Sequence, residues 1–137
     1  MRFLIIVKAS KDSEAGVKPT ESLFAEMATY HEELQKAGML IDGSGLHPSA
    51  DGWRIKYAAG GKRTLVDGPF AETKELVAGY TLIRAKSREE AIEWTRRFPN
   101  PAGAGKEAEI EVRQLFELEE FGASEQLDRF RAMDMAQ

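Results

Sequence analysis

The stretch Asp67-Gly68-Pro69-Phe70-Ala71-Glu72-Thr73-Lys74-Glu75 gathers three carboxylates, an ammonium and an aromatic ring into nine residues. Such a set can hold a small molecule if the chain presents it to a hollow. Thr64-Leu65-Val66 before it reads as the end of a strand, and Leu76 to Ile83 after it as the next strand. The nonapeptide is therefore a loop. Gly68 tolerates positive φ, and Pro69 fixes its own φ and has no N–H to give to a ladder. Pro69 also pushes Gly68 toward extended geometry. Two readings stay open: a decorated turn between strands, or a ligand-facing loop held by a rigid sheet.

Other chemistry is largely excluded. There is no cysteine, so disulfides, thiolate nucleophiles and cysteine-ligated zinc are ruled out. His31 and His47 are the only histidines, and no H-x-x-x-H spacing joins them. A three-ligand metal site using Asp67 or Asp42 is conceivable, but nothing in the spacing favours it, and no cofactor is expected. No serine sits in G-x-S-x-G. Gly43 and Gly45 lack the third glycine and the lysine-serine pair of a phosphate loop, and read instead as a bulge or bend. Arg54, Lys74 and Tyr80 are able to contact an anionic or aromatic ligand, although each also suits an ordinary surface or core role.

The elements that must position these groups follow from periodicity. Arg2 to Lys8 contains the continuous apolar run Phe3 to Val7, suited to a central strand. Ala9 to Lys18 reads as a loop. Thr20 to Ala37 reads as a helix with Leu23, Met27, Tyr30 and Leu34 on one stripe and Gly38 as its stop. His31 borders that stripe. Met39 to Ile41 starts a strand that Asp42-Gly43-Ser44-Gly45 breaks or bulges. Trp53 to Ala58 alternates as a half-buried strand, turns at Ala59-Gly60-Gly61-Lys62, and returns over Arg63 to Val66. Gly79 interrupts Leu76 to Arg84, which implies a bulge or a close neighbour. Ser87 and Glu90 form a capping box, with Ser87 accepting from the Glu90 N–H and Glu90 reaching back. Ala91, Trp94, Thr95 and Phe98 follow on one side, ending before Pro99. Ala108 to Leu118 gives a final strand, and Ser124 to Met133 a short C-terminal helix.

A chain of 137 residues suits one domain with a real core. Charged residues make up 31% and the net charge is -4, with both signs mixed, so there is no general attraction to nucleic acid or an anionic membrane. Phe3 to Val7 is too short for a signal-peptide core or a membrane span, and a cytoplasmic location is expected by default.

The nonapeptide resembles the signature of the DGPF branch of the YCII-related family, and the resemblance extends from Met1 to about Gly122. It implies an α+β, ferredoxin-like domain over residues 1–122, an antiparallel sheet with helices on one face, and a dimeric α+β barrel; residues 123–137 would be a helical extension. A homodimer is also expected from apolar residues on both strand faces. The resemblance further implies a histidine–aspartate dyad, best matched here by His31 and Asp67. An imidazole titrates near neutrality, and a nearby carboxylate orients it and stabilises its charged form. Phe70, Arg54, Lys74 and Tyr80 would then line the ligand site. Two functions follow as expectations. One is proton-transfer chemistry of lyase, isomerase or dehydrochlorinase type on a small organic acid or aromatic metabolite. The other is a non-catalytic binding or regulatory module with a sigma-factor or regulator partner.

Overall fold

The computed structural model describes residues 1–133. Its elements run β1 (Arg2–Lys8), α1 (Lys11–Glu14), α2 (Glu21–Lys36), β2 (Leu40–Gly45), β3 (Trp53–Tyr57), β4 (Arg63–Asp67), β5 (Val77–Arg84), α3 (Arg88–Thr95), β6 (Ile110–Gln114) and α4 (Glu125–Ala132). The part of the expected extension at 134–137 lies outside the described residues. Four strands form one antiparallel sheet in the order β2-β5-β1-β6, and β3-β4 form a separate hairpin. With the hairpin set aside, the chain reads strand-helix-strand, strand-helix-strand, which is the ferredoxin-like split βαβ plan.

The core lies between this sheet and α2 and α3. Phe3 and Ile5 of β1, Ile83 of β5, Tyr30 and Leu34 of α2, Met39 and Ala91 meet there. Phe3 stands opposite Ile83 and Ile5 opposite Thr81, so these residues share the helix-facing side of the sheet. Thr20 caps α2 by accepting from the Leu23 N–H. Tyr30 donates its buried hydroxyl to the Trp94 carbonyl at 2.8 Å, tying α2 to α3, and burial pushes its pKa up to about 12.

Several local expectations are corrected. The Ala9 to Lys18 loop contains α1, because Ser10 and Ser13 form a reciprocal capping box that nucleates a turn. Of the break or bulge expected at Asp42-Gly43-Ser44-Gly45, the break is absent, since the stretch belongs to β2, and a register irregularity falls at its edge, between Leu40 and Asp42. Ser87 does cap α3, yet Glu90 accepts from the Lys86 N–H rather than from Ser87. The β3-β4 hairpin is not half-buried. Trp53, Ile55, Tyr57 and Leu65 are all exposed, because the hairpin stands off the main sheet. Gly79 does have a close neighbour: a Cβ there would lie 3.0 Å from the Ser44 carbonyl oxygen.

Candidate functional site

The nonapeptide folds back over the turn that precedes the hairpin. Ser49–Asp51 form a 3-10 turn after Pro48. Gly68 packs against it so closely that an added Cβ would run into the Ser49 carbonyl group, so only glycine fits. The Gly68 N–H donates to the Gly52 carbonyl at 2.9 Å. The Gly68–Pro69 bond is cis. The Phe70 N–H then donates to Ser49 Oγ at 3.0 Å. The Ser49 N–H donates to Glu14 Oε2 at 3.0 Å, and the Ser49 hydroxyl donates to Glu14 Oε1. Glu14 of α1 thus holds the turn, and the turn holds the bend.

This clasp shapes a cleft of about 460 Å³ at the end of the sheet where β2 finishes and β5 begins. Its walls include Glu14, His47, Asp51, Trp53, Arg54 and Phe70, with Glu75, Leu76 and Val77 beside them. The Arg54 guanidinium carbon lies 3.8 Å from the centre of the Phe70 ring, a stacked cation–π contact. His47 Nδ1 lies 3.0 Å from Asp51 Oδ2.

Of the six residues expected in the site, Arg54 and Phe70 come together here. Lys74 lies on the exposed 3-10 turn Thr73–Glu75. Tyr80 stands opposite Ile6, on the sheet face away from the helices, and donates to Asp42 Oδ2 at 2.9 Å. Asp67 ends β4 opposite Trp53, exposed at the base of the hairpin. His31 sits between α2 and β5. Its Nδ1 is 2.7 Å from the Met27 carbonyl and its Nε2 is 2.8 Å from Thr81 Oγ1. The carbonyl can only accept, so Nδ1 carries the proton; in the neutral ring Nε2 accepts from the Thr81 hydroxyl. Both ring nitrogens are occupied, so among the described residues the His31–Asp67 pair is not formed within one chain. The helical periodicity that placed His31 beside the apolar stripe already pointed to this packing role.

The sequence reading did not include Glu14, Ser49 or the His47–Asp51 pair in the site. His47 and Asp51 are four residues apart around Pro48, and that spacing was a legible signal for a local pair. Glu14 carried no signal, because its contact spans 35 positions of sequence.

The family model described as the YCII-related domain matches residues 1–118. The chain belongs to the YCII-related domain family. Among curated relatives, the uncharacterized protein R00369 of Rhizobium meliloti (strain 1021) is 31% identical over 80 residues. That match covers 58% of this YCII-related chain and about 64% of the relative's length. Among solved structures, 5-chloro-2-hydroxyhydroquinone dehydrochlorinase (TftG) from Burkholderia phenoliruptrix AC1100, in complex with 2,5-dihydroxybenzoquinone, is 17% identical. That likeness covers 85% of this chain and 95% of that one at a TM-score of 0.43. The ferredoxin-like assignment rests on the strand order and connections given above.

Proposed function

We propose that this YCII-related protein binds a small planar organic acid or aromatic metabolite in the cleft beneath its Asp-Gly-Pro-Phe bend. The observation that carries this reading is the Arg54 guanidinium stacked on the Phe70 ring at the cleft wall. An aromatic face backed by a permanent cation suits a planar anion, which stacks on one and neutralises the other. Trp53 adds a second aromatic surface. A cleft of a few hundred Å³ is of the size that takes small ligands.

A thermal-shift screen against small carboxylic acids and hydroxyaromatics tests the reading. Binding to the native state raises the melting temperature by mass action. Planar acids should raise it in the wild type and lose most of that effect in Arg54→Gln. Equal shifts in both proteins would remove the cleft from the account.

The satisfied ring of His31 favours a binding role over His31-based catalysis in the isolated chain. A homodimer would fit the same reading. The exposed apolar face of the hairpin needs cover, and it adjoins the cleft through Trp53. A partner copy seated there would narrow the cleft mouth and exclude water.

A further inference from the structure

The hydrogen-bonded imidazole–carboxylate pair in the cleft is His47–Asp51. With Asp51 on Nδ1, that nitrogen holds a proton, and in the neutral ring Nε2 keeps its lone pair for another partner. The pair is open to ligand: the side chains are 87% and 61% exposed, and both residues line the cleft with Arg54 and Phe70. The remaining titratable groups on the walls are Glu14 and Glu75. Glu14 is committed to both donors of Ser49. His47 and Glu75 are left as the side chains placed to accept a proton.

We propose that His47 is the proton acceptor of the cleft, with Asp51 as its positioning carboxylate, and that the ligand is a phenol-type acid. This inference rests on the cleft binding planar acids and adds what happens to them there. In the step, the ligand O–H bond breaks and its proton joins Nε2. The electron pair stays on the ligand oxygen as a phenolate. Arg54 faces the new anion and Asp51 faces the new imidazolium, so charge balances without any co-reactant.

Para-nitrophenol is a direct probe, because its phenolate absorbs visible light and its neutral form does not. Calorimetry reports binding, and absorbance at a pH below the acidity of the free phenol reports ionisation. The wild type should bind the probe and ionise it. Among the bound probe, His47→Gln should lose about tenfold in the ratio of phenolate to phenol, equivalent to one unit of acidity. Asp51→Asn should fall between the two. Ionisation unchanged in His47→Gln, or lost instead in Glu75→Gln, would overturn the assignment while leaving the cleft as a binding site. Failure of the wild type to bind the probe would remove both.

Discussion

Gly68 shows how a single residue carries the architecture of the site. Its missing side chain lets the bend press onto the Ser49 carbonyl, and that contact sets Phe70 where Arg54 can cover it. Gly68→Ala should destabilise the fold by about 1–3 kcal/mol, the usual cost of overpacking, read as a lower urea midpoint with unchanged slope. A neutral substitution would mean that the bend yields freely. His31 makes a second case. Thr81 is 2% exposed, and its hydroxyl meets the imidazole. His31→Leu leaves that buried hydroxyl without its ring partner and should cost about 1–3 kcal/mol. A double-mutant cycle with Thr81→Val should recover part of the loss. Additive effects would show that the two side chains act independently. The dyad expected from family resemblance is not formed within one chain for this reason: both imidazole nitrogens are engaged in the packing of α2 on β5.

At the scale of elements, most of the fold was legible. The apolar run of β1, the 3.6-residue stripe of α2 and the Ser87 cap of α3 each state their structure locally. The hairpin was legible as two strands but not as an exposed arm, since alternation reports that one face is apolar and not what covers it. The Glu14–Ser49–Phe70 clasp was illegible because its contacts join distant segments. Electrostatics also act between elements. The Arg2 guanidinium at the start of β1 hydrogen-bonds Glu117, just after β6, at 3.0 Å. That bond, with Arg2's charge, holds the Glu117 carboxyl below its usual range against a smaller opposing effect of burial. The stability gained is present above the pH at which this carboxylate titrates in the unfolded chain. It is lost as pH falls through the lower folded value. Glu117→Gln should therefore flatten the acid limb of stability against pH, measured by urea midpoints. An identical acid limb in the variant would show that the bond contributes nothing.

At the scale of the molecule, the hairpin is the unusual feature. Between Trp53 and Val66 it carries Arg54, Lys56, Lys62 and Arg63 and no carboxylate, in a chain of net charge -4. Its apolar face is exposed in the single chain, with Trp53 at 63% and Tyr57 at 68%. A second copy offers both the apolar cover and the opposite charge. Sedimentation at micromolar concentration should give a dimer, and Ile55→Asp with Leu65→Asp, which stand opposite each other on that face, should give a monomer. A monomeric wild type would end the dimer proposal. Among the described residues no helix is long and apolar enough to cross a membrane.

The cleft beneath the bend stands or falls on Arg54. Calorimetric titration of the strongest planar acid from the screen, into wild type and Arg54→Gln in the same buffer, measures its part directly. Loss of a charge-assisted contact should weaken binding by about tenfold or more in the variant. The same dissociation constant in both proteins would contradict the site.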